Sequence, residues 1–180
     1  MAAIGEQSLR WFSAERVDAE PDLAGMVRDY SGLLYRVALS IVRNSAEAED
    51  IVQDTFVRVL QQKGKLSAVA ELRPWLVRIA WNLALDRKRR IRPEQMDQGF
   101  ALELVSRDLP ADDAVAEAGR MSHVLAAIEK LPRQEREVLL LSAMEDLSTS
   151  EIGKVVGRSE SSVRSLLFRA RAHLRERLRD

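Results

Sequence analysis

Apolar positions recur at spacings of three and four along most of this chain, a pattern that predicts helices. From Leu23 to about Arg43, with an interruption expected near Gly25, the residues Leu33, Leu34, Val37, Ala38, Ile41 and Val42 form one apolar band. Asn44 and Ser45 stop that helix and cap the next. The next reads AEAEDIVQDTFVRVLQQ. Ala48, Ile51, Val52, Thr55, Phe56, Val59 and Leu60 are expected to face inward, while Glu49, Asp50, Gln53, Asp54, Val57 and Arg58 point elsewhere. Acids near a helix start satisfy its dipole, which accounts for Glu47 to Asp50 better than for Asp54. A loop from Lys63 to Arg73 leads to a helix that Pro74 opens at its first position. Leu76, Ile79, Ala80 and Leu83 mark one side of it; Arg78, Asn82, Asp86 and Arg90 fall on another at spacings of four.

From 93 to about 111 the period vanishes. Glu94, Asp97, Glu103, Asp108, Asp112, Asp113 and Glu117 face only Arg107 before Arg120, so a mobile acidic linker is expected there. Helical spacing resumes near Asp112, with Val124, Leu125, Ile128 and Leu131 on one face. Pro132 starts another helix, with apolar surface from Val138, Leu139 and the run from Leu141 to Met144.

The stretch from Leu147 to Arg175 predicts two helices and a tight turn. Ser148 and Glu151 form a capping box. Ile152, Val155 and Val156 share one side, Gly157 supplies a left-handed ending, and Ser159 is an N-cap. In the second helix Val163, Leu167, Ala170 and Leu174 make a buried stripe. Arg164, Phe168, Arg171 and Arg175 make a stripe beside it, and Arg169 lies on a further face. A helix–turn–helix with a basic second helix reads DNA through the major groove. The plainer alternative is a solvated surface helix; the agreement of caps, turn and stripe favours the reader.

Composition refines this picture. The 180 residues allow one compact domain or two small ones, and 46% hydrophobic with 31% charged residues is a globular balance. Lys plus Arg and Asp plus Glu both number 28, so the net charge is zero, but the distribution is uneven. From Lys154 onward Arg158, Arg164, Arg169, Arg171, Arg175, Arg177 and Arg179 are opposed only by Glu160, Glu176 and Asp180. Arg87, Lys88, Arg89, Arg90 and Arg92 form a second positive run, larger than a helix dipole needs. Trp75 and Trp81 flank the apolar stripe of that helix, either as core or as platforms for unpaired bases.

Cysteine is absent, which removes disulfides and thiolate metal sites. The first 22 residues read as a loose extension containing Trp11 and Phe12, not a signal peptide. No stretch approaches the ~20 apolar residues of a membrane span, so no membrane insertion and a cytoplasmic location are expected. His123 and His173 belong to no nucleophile–base pair or metal spacing, and no phosphate-binding glycine loop occurs; neither an enzyme nor a cofactor is expected.

Two sets of motifs occur in order. AEDIVQDTFVRV and LRPWLVRIAWNLALDRKRR lie in the first half; LPRQEREVLLL, LSTSEIGKVVG and SVRSLLFRARAHLR lie in the second. Residues about 25 to 92 and 115 to 178 thereby resemble the two conserved domains of extracytoplasmic-function sigma factors, group 4 of the sigma-70 family. The resemblance implies an all-α fold: two small helical domains joined by a flexible acidic linker, the C-terminal one with the helix–turn–helix. It implies an N-terminal extension (1–22), a region 2 domain (23–92), a linker (93–114) and a region 4 domain (115–180).

It also implies roles. Asp50, Gln53, Asp54 and Arg58 would bind core RNA polymerase at the beta-prime clamp helices, with the beta flap as a further contact. Trp75, Arg78, Asn82, Asp86, Arg89 and Arg90 would meet the minus-10 element and help open it. Ser159, Ser161, Ser162, Arg164, Ser165, Phe168, Arg169 and Arg171 would read the minus-35 element. The acidic linker would run toward the RNA exit path, and an anti-sigma factor would be a further partner.

Opening DNA costs a few kcal/mol per unstacked base. With no nucleotide-binding loop, that cost must be met by binding the opened strand and the polymerase. Three departures from the family stand out. Leu166 occupies a position where the family has a cation, so one DNA contact is expected to be missing. Gly153 replaces an alanine, which should cost somewhat under ~1 kcal/mol of helix stability. The loop from Lys63 to Arg73 lacks the family's Phe-Arg pair. The alternative reading is a helix–turn–helix regulator that is not an initiation subunit; the first half carries no phosphorylation or ligand domain to support it. A sigma-like decoy that binds no promoter fits poorly with the dense arginines.

Overall fold

The computed structural model describes residues 22–66, 68–90, 111–144 and 147–179. Helix α1 spans Leu23–Val42. Its N-cap is Asp22, whose carboxylate accepts the Gly25 amide at 2.9 Å. A Cβ on Gly25 would collide with that carboxylate. Gly25 therefore belongs to the cap, and the interruption expected there does not occur.

Arg43 ends α1 in the left-handed region (φ 51°), and Asn44 then accepts the Glu47 amide at 2.9 Å to open α2, Ser45–Gln61. The loop beyond α2 contains a single turn, α3, Lys63–Leu66. Helix α4, Leu72–Lys88, begins two residues before Pro74. Proline fits at this third position as well as at the first, because no amide of a first helical turn has an intrahelical acceptor.

Helices α1, α2 and α4 pack pairwise. Leu34, Val37, Val42, Ile51, Val59, Trp75, Leu76 and Val77 lie fully buried among them. Leu60, expected to face inward, is 50% exposed. The buried arc of α2 is Ala48, Ile51, Thr55, Phe56 and Val59, and Leu60 sits past its edge. Ile79 and Leu83 are only half-buried, whereas Trp75, Val77 and Trp81 are buried, so α4 is covered on more than one side. The reason is that α4 also packs against a helix of the second half.

That half contains α5 (Ala111–Glu129), α6 (Arg133–Ser142), α7 (Thr149–Val156) and α8 (Glu160–Arg177). Helix α8 packs on α6 and α7 and touches α5. Val138, Leu141, Ile152, Val163, Leu167 and Ala170 fill the space between them. Leu166 joins them at 3% exposure. A cation there would have to be buried, so the leucine is a packing choice and not a vacancy in the DNA surface. The acidic segment read as a linker lies mostly outside the described residues. No strand occurs among the described residues, so the architecture is all-α with a helix–turn–helix in the second group. No described helix is long and apolar enough to cross a membrane.

The two groups meet. Helix α4 lies along α7, and α1 touches α6, so one apolar cluster runs through both.

Candidate nucleic-acid interface

The helix–turn–helix is built by local hydrogen bonds. The Ser148 hydroxyl accepts the Glu151 amide at 3.2 Å, and the Glu151 carboxylate accepts the Ser148 amide at 2.8 Å. Gly157 ends α7 with φ 70°, and the Arg158 amide donates to the Gly153 carbonyl at 2.8 Å. This turn brings backbone onto Gly153: a Cβ there would sit 2.6 Å from the Arg158 carbonyl oxygen. Gly153 thus permits a close backbone approach in this turn, a packing role beside the helix propensity that the sequence suggests. Ser159 accepts the Ser162 amide at 3.3 Å and its hydroxyl lies 3.1 Å from that of Ser161, which opens α8.

With Val163, Leu166, Leu167 and Ala170 buried, α8 turns Ser161, Arg164, Ser165, Phe168, Arg169 and Arg171 outward. Phe168 is 76% exposed, which the core does not explain. It lines a shallow groove with Arg164, Leu167, Arg171 and Arg175. Arg164 pairs with Glu160 at 2.5 Å. The hydrogen bond from Thr149, then that from Arg164 and its charge, hold the Glu160 carboxyl below its ordinary range. Ser159 and Ser162 serve the cap, so of the residues expected to read upstream DNA those two have a structural task as well.

The second cationic helix is arranged differently from expectation. Trp75 is 1% exposed and Trp81 3%, so both are core. As placed, Trp75 has no ring face open to a base, which corrects its assignment to a DNA-facing set. Arg78 is half-buried and donates to the Lys154 carbonyl at 3.2 Å. Burial lowers the pKa of its guanidinium from the usual value.

Asn82 and Asp86 are half-buried, and Asp86 pairs with Arg89 at 3.2 Å. Arg87 reaches Glu47 at 3.0 Å and Asp54 at 3.2 Å, which gives Asp54 a role that the helix dipole did not supply. Lys88 pairs with Glu129. Arg90 is exposed, and Arg92 lies outside the described residues. Much of the expected positive field is therefore neutralised within the fold.

On α2, Asp50, Gln53 and Asp54 are exposed and Arg58 is half-buried. Val57 (48% exposed) and Leu60 (50%) stand on the solvent side of the same helix. Leu60 was missed from this surface because α2 is apolar beyond its buried arc. Exposed aliphatic side chains beside acids suit a protein partner better than DNA.

Across the two groups, Lys154 pairs with Glu71 and Arg73 with Glu151 at 3.7 Å. Glu129 collects Arg43 at 2.7 Å, Lys88 at 3.3 Å and Arg136 at 3.1 Å. Burial pushes the Glu129 carboxyl up, but the charges of Lys88, Arg43 and Arg136 together outweigh this and hold it below its ordinary range. His123 is exposed and His173 is engaged with Glu135, and no cluster among the described residues has the makings of a metal site.

Comparison with known proteins gives this geometry its frame. Residues 26–94 match Sigma-70 region 2, and residues 123–174 match Sigma-70, region 4. The ECF RNA polymerase sigma factor SigW of Bacillus subtilis (strain 168) is 30% identical over 87% of this chain and 89% of its own length. The ECF RNA polymerase sigma factor SigE of Mycolicibacterium smegmatis is 33% identical over 89% of this chain, which spans only 63% of that protein. Among solved structures, CnrH in complex with the cytosolic domain of CnrY superposes with a TM-score of 0.66 at 25% identity, covering 96% of this chain and 93% of that one. RpoE in complex with the anti-sigma factor NepR, from Bartonella quintana, shares the fold with a TM-score of 0.63 at 19% identity, over 88% and 97% of the two chains. With both sigma-70 regions present in order, and a relative aligned along nearly its whole length, this chain belongs to the extracytoplasmic-function sigma factors.

Proposed function

We propose that this protein recruits core RNA polymerase to promoters by binding the minus-35 and minus-10 elements, and that it supports strand opening. The observation that carries the reading is the coexistence, on one chain, of a helix–turn–helix with an outward arginine face and a separate stretch that matches Sigma-70 region 2. A regulator that reads only duplex DNA needs the first and has no use for the second.

The roles divide by surface. Ser161, Arg164, Ser165, Phe168, Arg169 and Arg171 of α8 enter the major groove upstream, where phenylalanine suits a thymine methyl and arginine suits guanine. Arg78, Asn82, Asp86, Arg89 and Arg90 of α4 meet the minus-10 element. Asp50, Gln53, Asp54 and Arg58, joined by Val57 and Leu60, bind core polymerase. On this reading 1–22 is an extension, 23–92 and 115–180 are the two working domains, and 93–114 joins them. Because Arg78 lies against α7, engagement of the minus-10 element requires α4 and α7 to part.

A protein partner of the anti-sigma class belongs to the same reading. It is supported by the company in which the solved relatives are found: CnrH with the cytosolic domain of CnrY, RpoE with the anti-sigma factor NepR. The test is transcription from genomic fragments by core polymerase freed of sigma. Defined start sites should appear only when this protein is added. Binding to the fragments without any core-dependent transcript would favour a duplex-reading regulator.

A further inference from the structure

Glu135 on α6 is the only buried charged side chain among the described residues, at 6% exposure. Burying a carboxylate is costly unless it is paired. Both of its oxygens turn to α8. Oε2 lies 2.7 Å from His173 Nδ1, a hydrogen bond, and Oε1 lies 3.6 Å from Arg169 Nε, a charge contact too long for a hydrogen bond. Arg169 and His173 are four residues apart and so share one edge of α8. The Arg169 side chain remains 57% exposed and has no other ion pair among the described residues.

A guanidinium is a planar fork of five N–H groups. The Glu135 carboxylate, 3.6 Å from Nε, draws that edge of the guanidinium toward α6 by charge and leaves the two Nη groups on the outer side uncommitted. The same negative charge weakens the attraction of Arg169 for a phosphate while leaving its donors available to guanine O6 and N7. If joining α6 to α8 were the whole task, an apolar side chain would serve, since buried ionic groups replaced by well-packed apolar ones are often neutral or stabilising.

We propose that Glu135 is a positioning residue for promoter reading, which orients Arg169 toward the edge of one guanine in the upstream element. The inference rests on the reading of α8 as the upstream reader. It adds a residue that lies outside the helix–turn–helix and touches no DNA.

The test uses the full chain with core polymerase and a set of duplexes altered at each upstream position in turn, at one fixed salt concentration. Arg169→Ala should lose on the order of tenfold discrimination at a single position. Glu135→Leu should lose discrimination at that same position while keeping its circular dichroism and melting temperature. Glu135→Gln, which keeps an acceptor, should restore part of it. The double variant Glu135→Leu/Arg169→Ala should do no worse than Arg169→Ala alone.

An even loss of affinity at every position in Glu135→Leu, or an undiminished effect of that substitution in the Arg169→Ala background, would make Glu135 a packing residue and overturn the proposal. Arg164→Ala separates the two levels of the argument. If it alters preference at its own position while Glu135→Leu alters none, only the positioning role fails. If neither Arg164→Ala nor Arg169→Ala changes upstream binding, the assignment of α8 fails, and the role of Glu135 with it.

Discussion

The guanidinium of Arg78 donates a hydrogen bond to the backbone carbonyl of Lys154, at 3.2 Å and 76 residues further along the chain. One cationic helix is thereby held against the first helix of the helix–turn–helix, with Glu71–Lys154 and Arg73–Glu151 beside it. These ion pairs are partly exposed, so each contributes at most about 1 kcal/mol and is screened by salt. The reversal Glu71→Lys, which sets two lysines side by side and leaves the Ser148–Glu151 cap intact, should loosen the contact between the two halves. The chain has no cysteine, so Gln61→Cys and Ser122→Cys can carry a fluorophore pair. Transfer efficiency should fall in the reversed variant and, less steeply, in the native sequence as salt is raised. Equal efficiency in both proteins at low salt would mean that the polar seam does not hold the halves together.

Glu129 adds a pH dependence to the same contact. Its carboxyl is held below its ordinary value of 4.5 in the folded protein by the net effect of Lys88, Arg43 and Arg136 over burial. A depressed carboxylate contributes stability that is fully present above the unfolded value and is lost as pH falls through the folded one. Melting temperature should therefore drop below about pH 4.5 more steeply in the native protein than in Glu129→Gln. Parallel curves for the two proteins would contradict the assignment.

Gly153→Ala separates helix propensity from packing. In an open helix the change would stabilise by up to about 1 kcal/mol. Here the new Cβ would sit 2.6 Å from the Arg158 carbonyl oxygen. The expected result is a destabilisation of about 1–3 kcal/mol in urea unfolding, the usual range for overpacking. A gain in stability would show that the turn after α7 relaxes freely.

Features fixed by neighbours in sequence were legible before the structure. The Ser148–Glu151 capping box, the Asn44 cap, the left-handed Gly157 and the Val163–Leu167–Ala170 stripe all depend on residues within one or two helical turns. What escaped sequence reading depends on what packs on what. Periodicity puts Leu60 on the inner face of its helix and Trp75 only beside the apolar stripe of its own, yet Leu60 is 50% exposed and Trp75 1%, because α4 is covered on several sides and α2 is not. The partners that Arg78, Lys88 and Lys154 find in the other half are invisible in a run of basic residues, because they lie 76, 41 and 83 positions away in the chain. Leu166 looked like a missing cation until its side of α8 was found to be core.

Trp75 and Phe168 should respond in opposite ways to alanine. Removal of the buried Trp75 should cost about 3–5 kcal/mol of stability. Phe168→Ala should change stability by no more than about 0.5 kcal/mol, as an exposed site does, while weakening binding to upstream duplex DNA. A thermal melt and a binding isotherm on each variant check both halves. A large stability loss from Phe168→Ala would place that ring in packing and remove it from the reading face.

The outer face of α2 should be where polymerase docks. Asp50→Arg combined with Leu60→Ser should leave the melting temperature within a few degrees of the native value and weaken the complex with core polymerase at least tenfold. Asp54 is a poorer probe, since it also pairs with Arg87. Undiminished affinity for core in the Asp50→Arg/Leu60→Ser variant would move the docking face elsewhere.

Strand opening is the step that separates an initiation subunit from a duplex-reading regulator, and permanganate reactivity of unpaired thymines measures it directly. Around a start site that this protein directs, thymines of the minus-10 element should become reactive when the protein and core polymerase are both present, without nucleotide, and stay unreactive with either alone. The signal should fall in Asn82→Ala with loss of sequence preference, and fall evenly across sequences in Arg90→Ala, because phosphate contacts carry no sequence. Stable binding of protein and core to a promoter whose minus-10 thymines stay unreactive would contradict the account.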